Sequence, residues 1–225
     1  MRITAVPAGS ERRITMAEKR MVFAIGRRCG SGGREIGKKL ADHYGIKFYD
    51  KEIVTMLAER MNMPEEEIAK LEEKVTGHFT TKSGFAAAKD SLLGKMTKSD
   101  RLYLSEYALI ANLAATENCV IVGRSGNAIL ADNPHTLHLH IFADDDFRIP
   151  RVKEQYGLTS DAEAKKMMDK IDKERRDYFN YYTGEGWGTT DTHDFMINSA
   201  TFGIDGTTEI IINVADRFFA SIEDD

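Results

Sequence analysis

The chain has 225 residues, with 31 Lys and Arg against 36 Asp and Glu, a formal net charge of −5 and 42% hydrophobic residues. That length suits one domain with a substantial core and room for an inserted subdomain, while the acidic balance gives no general pull toward nucleic acid or an anionic membrane, so an anion site must be a local concentration of arginine. No apolar run approaches the about 18 residues of a membrane span, and Cys29 and Cys119 form neither a disulfide framework nor a CxxC metal spacing, which fits a reducing cytoplasm.

Residues 1–20 lack both the apolar stretch of a secretion signal and helical periodicity, and read as a loosely ordered extension. MVFAIG (21–26) is an apolar run closed by glycine, a buried strand. REIGKKLADHYG places Ile36, Leu40 and Tyr44 at helical spacing before Gly45. A second strand, IKFYD (46–50), leads to a helix with Ile53, Leu57 and Met61 every fourth residue and Asp50 as its expected N-cap. Residues 62–98 differ: a helix opening on Pro64 and three acids, then a polar, glycine-broken stretch, together read as an insert. A helix capped by Ser99 or Asp100 follows, then strands CVIVG (119–123) and TLHLHIF (136–142). DDDFRIPRVKEQYG is a helix interrupted by Pro150, and a longer one opens on a Ser160 to Glu163 capping box. DFMIN (194–198) is the last strand, before a closing helix. Five short apolar strands alternating with helices predict an α/β domain with a parallel sheet.

The stretch GRRCGSGGREIG (26–37) joins the first strand to the first helix, the sheet edge where α/β proteins bind ligands. Gly30, Gly32 and Gly33 free the backbone to turn N–H groups toward an anion, Ser31 lies between them, and Arg34 adds a fixed charge. Three readings stay open. The dinucleotide fingerprint fits Gly30 and Gly32, with Asp50 about 20 residues on to hold a ribose, but its third glycine falls on Glu35. The GxxxxGK[ST] pattern meets Arg28, Arg34 and Glu35 at three of its positions. A glycine turn without a ligand is the third.

Arginines elsewhere favour phosphoryl chemistry, which has to neutralise charge spread over several oxygens. Arg124 follows a strand, Arg148 and Arg151 lie one helical turn apart, and Arg175, Arg176 and Asp177 sit late in the long helix.

With these residues placed, GSGGREIGKKLA, FYDKEI, VIVGRSGNAIL, FRIPRV and DFMINSATFGID together resemble the cytidylate kinase-like family, a branch of the P-loop nucleoside monophosphate kinases, from about residue 21 to the C-terminus. The resemblance implies a three-layer P-loop kinase fold with a five-stranded parallel sheet, a helical acceptor-binding insert (62–98) and a helical lid (144–190). It implies phosphoryl transfer from ATP or another NTP, with Mg²⁺, to a small-molecule nucleotide such as CMP or dCMP. Gly30, Ser31, Gly32, Gly33, Arg34 and Glu35 would cradle the donor. Tyr49, Asp50, Gly123 and Arg124 would lie at the acceptor, and Arg148, Arg151, Arg175, Arg176 and Asp177 at the lid. Ser125 stands where cytidylate kinases carry an acid after the glycine–arginine pair. Glu35 stands at a position whose hydroxyl ligates Mg²⁺ in P-loop kinases. It would hold the ion itself, pair with an arginine, or repel the phosphates and leave a nucleotide-binding protein with little or no turnover.

Several residues carry two readings. His138 and His140 share one strand face, as metal ligands lacking a third partner or as core residues. Tyr178 to Tyr182 would stack on a base or close a helix against the core. Trp187 is a mobile lid residue or a loop anchor. Asp144 to Asp146 either hold metal or complement a helix dipole. Cys29 is a reactive thiol or an inert small residue.

Overall fold

The structure, a computed structural model, describes residues 20–73 and 97–222. The expected extension, apart from Arg20, and most of the expected insert lie outside those residues. Five strands, β1 (Val22–Arg27), β2 (Lys47–Tyr49), β3 (Cys119–Val122), β4 (Thr136–Phe142) and β5 (Phe195–Asn198), form one sheet in the order β2-β3-β1-β4-β5. Every pairing is parallel. The helices are α1 (Gly33–Tyr44), α2 (Glu52–Met61), α3 (Glu65–Glu73), α4 (Lys98–Thr116), the single turn α5 (Gly126–Ile129), α6 (Asp145–Tyr156), α7 (Asp161–Thr183) and α8 (Ser199–Ser221).

The strands are mostly apolar because both sheet faces are covered, with Thr136, His138 and His140 the buried polar residues of β4. Val22, Cys119 and Ile121 face a cluster with Ile53 and Leu57 of α2, Ile68 of α3 and Leu102, Ile110 and Leu113 of α4. Phe23, Ile25, Val120 and Val122 face the opposite cluster, with Ile36 and Leu40 of α1 and Ile211 and Ala215 of α8. A third cluster joins Cys29 to Val152 of α6 and Ala164 and Met168 of α7. The loop after β1 is thereby anchored to the two helices expected to form the lid. No described helix is long and apolar enough to cross a membrane.

Helix ends differ from expectation in three places. The N-cap of α2 is Lys51, not Asp50. Asp50 is held by its backbone N–H, which donates to Glu52 Oε2 at 3.0 Å, and its carboxylate is committed to arginines. The N-cap of α4 is Thr97, in a reciprocal capping box with Asp100, rather than Ser99 or Asp100. Pro150 does not interrupt α6. It is exposed, so the carbonyl it leaves without an N–H partner is open to water. The last helix begins earlier than its apolar periodicity indicates and bends at Gly203 (φ 68°, ψ 177°).

Candidate active site

The loop between β1 and α1 takes its shape from left-handed glycines. Gly30 (φ 77°) and Gly32 (φ 79°) adopt a conformation that costs other residues about 1–2 kcal/mol. A Cβ on Gly30 would meet the Arg148 carbonyl oxygen at 2.9 Å. Gly32 caps α1 with no side-chain bond, which leaves the helix N-terminus as an anion-binding feature. Ser31 faces the scaffold: it is fully buried, its hydroxyl lies 2.9 Å from both the Arg28 and Ile141 carbonyl oxygens, and its own carbonyl accepts from Ser199 Oγ at 2.7 Å.

Arg148 and Arg151, paired by their spacing, do different work. Arg148 is 0% exposed. Its guanidinium donates to the Cys29 carbonyl (2.6 Å), to Asp145 (3.1 Å) and to Asp172. Asp172 in turn accepts the Cys29 N–H at 2.7 Å and lies 3.5 Å from Arg28 Nε. Arg148 therefore holds the loop from beneath, and the expectation that it faces the phosphates does not fit its burial. Cys29 sits inside this clamp, and burial pushes its thiol up, the property of an inert thiol.

Arg151 reaches across from α6 and donates to Glu35 Oε2 at 2.7 Å. Of the three roles open to Glu35, arginine pairing is the one this geometry displays. Arg34 donates to Asp50 Oδ2 at 2.6 Å and lies over the Phe48 ring. Asp50 is also 3.8 Å from Arg27, so one carboxylate links the loop's arginine to the interior. Tyr49 alternates to the other face of β2, where its hydroxyl donates to Glu117 at 2.6 Å within the α2–α4 cluster. It is a core residue and does not line the cavity described next.

That cavity, about 290 Å³, opens at the carboxyl ends of β1 and β3, against α4 and α7. Arg27, Arg124 and Arg175 line it, together with Glu106, Tyr178 and Trp187. Arg175 Nη1 donates to the Arg27 carbonyl at 3.2 Å. Burial and the neighbouring Arg175 push Arg27 down to about 9, and burial likewise lowers Arg124. Like charges gathered out of water in this way are stabilised by an anion placed among them. Arg176 and Asp177 are turned away: Arg176 is exposed, and Asp177 pairs with Lys173 at 2.5 Å. Successive helix positions point about 100° apart, so only one residue of the trio reaches the cavity.

Arg27 and Glu106 were not expected here. Arg27 reads as one of a pair of arginines ending a strand. Glu106 carried a visible signal, an acid on the apolar stripe formed by Leu102, Leu109 and Leu113. Gly123 has φ 79°, and a Cβ there would collide with the Arg27 guanidinium. Gly123→Ala should therefore lower stability by roughly 1–2 kcal/mol, displace Arg27 and weaken binding of an anionic acceptor. Denaturant unfolding read beside acceptor titration checks both.

The remaining two-way residues divide. Burial pushes His140 down to about 3, so its ring is neutral, and it packs edge-on against Trp187 at 5.5 Å. Trp187 is thus a wall of the cavity, anchored by its backbone N–H, which donates to Asn180 Oδ1 at 3.0 Å. Tyr182 stacks on Tyr103 at 4.2 Å in the core, whereas Tyr178 faces the cavity. Asp144 caps α6, and Asp145 pairs with Arg148 and Lys165. Among the described residues no group of three or more His, Cys, Asp or Glu is arranged to hold a metal ion. The dinucleotide reading fails on two counts. The strand order is not the 3-2-1-4-5-6 of that fold, and Asp50 is engaged by arginines rather than open to a ribose.

Known proteins bear on this arrangement in three ways. An uncharacterized protein from Eubacterium ventriosum ATCC 27560 is 30% identical, with a TM-score of 0.66 over 88% of this chain and 99% of its own. Shikimate kinase from Bacteroides thetaiotaomicron is 13% identical, with a TM-score of 0.51 over 87% of this chain and 98% of its own, a likeness of fold. No curated protein matches. The cytidylate kinase-like family matches residues 22–201, which takes in the glycine loop, the Gly123–Arg124 pair and the arginines of α6 and α7. A sheet, a glycine loop and an arginine-lined cavity of this kind, met by that match over most of the chain, place the protein in the cytidylate kinase-like family.

Proposed function

We propose that this protein transfers a phosphoryl group from ATP or another nucleoside triphosphate to a nucleoside monophosphate, CMP or dCMP. The observation that carries the reading is the convergence of Arg27, Arg124 and Arg175 on one cavity beside the glycine loop. An acceptor that is itself a phosphate needs several cations in reach of its oxygens and of the transferring group. The loop and the N-terminus of α1 receive the triphosphate. Arg34 and Arg151 lie at the same helix start, each held by a carboxylate that a triphosphate would displace. α7 carries Arg175, and its closing would exclude water from the transfer.

Glu35 fits the way Mg²⁺ is usually held, by one or two carboxylates together with phosphate oxygens and water. Held there by Glu35, the ion would supply positive charge against the donor's phosphates. Glu35→Ser separates the roles of this carboxylate. A fall of roughly tenfold in the Mg²⁺-dependent rate is expected if Glu35 serves the metal, and a rise would mean that its pairing with Arg151 restrains the enzyme.

The overall reading is tested by ADP release in a coupled assay with ATP and Mg²⁺ across a panel of nucleoside monophosphates. Turnover with CMP or dCMP is expected. ATP binding without turnover on any acceptor would favour the second reading, a nucleotide-binding protein, for which the Arg151–Glu35 and Arg34–Asp50 pairs speak.

A further inference from the structure

Two residues lining the cavity, Glu106 and Ser125, each hold a buried oxygen without a hydrogen-bond partner among the described residues, and Glu106 is the one that can carry a charge. Glu106, in the middle of α4, is 0% exposed and lines the cavity. Its Oε2 accepts the Tyr178 hydroxyl at 2.7 Å. Its Oε1 accepts no hydrogen bond among the described residues, and Arg124 Nη1 stands 3.8 Å from it. A buried carboxyl oxygen left without a donor is costly, and such a group in a native fold calls for an explanation. Resting on the kinase reading above, we infer that Glu106 is the specificity-determining residue of the acceptor cavity, accepting at Oε1 a hydrogen bond from an amino group on the acceptor's ring.

The chemistry follows from what surrounds it. Tyr178 occupies Oε2, so Oε1 is the side left to a ligand. Burial pushes Glu106 up to about 8. When the carboxyl carries a proton on Oε2, the bond reverses, Oε2–H donates to the Tyr178 oxygen, and Oε1 stays an acceptor. Tyr178, Phe179 and Trp187 give the cavity flat aromatic walls, the surfaces on which a heterocycle stacks. A volume of about 290 Å³ lies at the small end for ligand sites. With phosphate oxygens taken by the arginines, the ring's amino group is the donor that Oε1 lacks.

The bland account is that Glu106 only balances the charge of Arg124. Two ligands separate the accounts: CMP, and pyrimidin-2-one riboside monophosphate, which is CMP without its amino group. In calorimetric titrations the wild-type protein should bind CMP about tenfold or more tighter, because a site built for a donor rejects the analogue lacking it. Glu106→Leu should bring that ratio close to one. Glu106→Gln, which keeps a carbonyl oxygen able to face the ligand, should retain most of it. An equal ratio in the wild type, Glu106→Leu and Glu106→Gln would overturn the inference and leave the kinase reading standing, as would a wild type that binds both ligands equally well. Failure of the wild type to bind either monophosphate would overturn both.

Discussion

Arg27→Ala is expected to lower kcat/KM for the acceptor by about 10²-fold or more, with a smaller change in ATP affinity and with Tm unchanged or raised. In the proposed function Arg27 is a charge-assisted donor to the acceptor phosphate, and its removal would cost about 1.5–3 kcal/mol per bond. The stability behaviour runs the other way. Burial and the nearby Arg175 and Arg124 all disfavour the Arg27 cation, and Asp50 at 3.8 Å offsets only part of this. A residue that the fold would do better without, held where a ligand would need it, is the pattern of a functional site. Steady-state kinetics and thermal unfolding on the same variant check the pair of effects. A loss of Tm in step with activity would mean that Arg27 is a structural residue.

Arg148→Met should have the opposite signature and the largest cost in stability. It removes the partner of Asp172 and of the Cys29 carbonyl, both inside the clamp beneath the loop. Breaking a buried ion pair from one side leaves the other charge uncompensated, at roughly 3–5 kcal/mol, or a fall in Tm of roughly 10 °C for a chain of this size. Arg148→Lys would recover little, because an ammonium cannot reach Cys29, Asp145 and Asp172 together as the guanidinium fork does. Activity should fall through loss of donor affinity, since the clamp sets the loop. Unfolding curves and ATP titration of both variants test this. A change in acceptor KM with no change in Tm would contradict it.

Much of the architecture is legible in the sequence because the sheet is buried on both faces. MVFAIG and CVIVG admit no amphipathic alternative, TLHLHIF alternates histidine with apolar residues yet is buried on both faces, and the glycine loop is fixed by its place after the first of these strands. Caps are less legible: Thr97, Ser99 and Asp100 are all good N-cap residues, and packing of α4 decides among them. The site is legible in type more than in detail. The placement of the arginines points to phosphate, but burial sorts them. Arg148 shares the inward stripe of α6 with Val152 and becomes structural, while Arg175 and Arg176 part by one helical step. Tyr49 ends β2 and turns into the core, while Asp50, just beyond the strand, meets the arginines. Glu106 is the case where long-range placement supplies what local sequence lacks. Ser125 leaves the position after Arg124 without an acid, and α4 brings a carboxylate to Arg124 from elsewhere in the chain.

The most direct test is a crystal structure of the protein with CMP. The phosphate is expected among Arg27, Arg124 and Arg175, with the ring against Tyr178 and its amino group on Glu106 Oε1. CMP bound on the glycine loop with this cavity empty would contradict this placement.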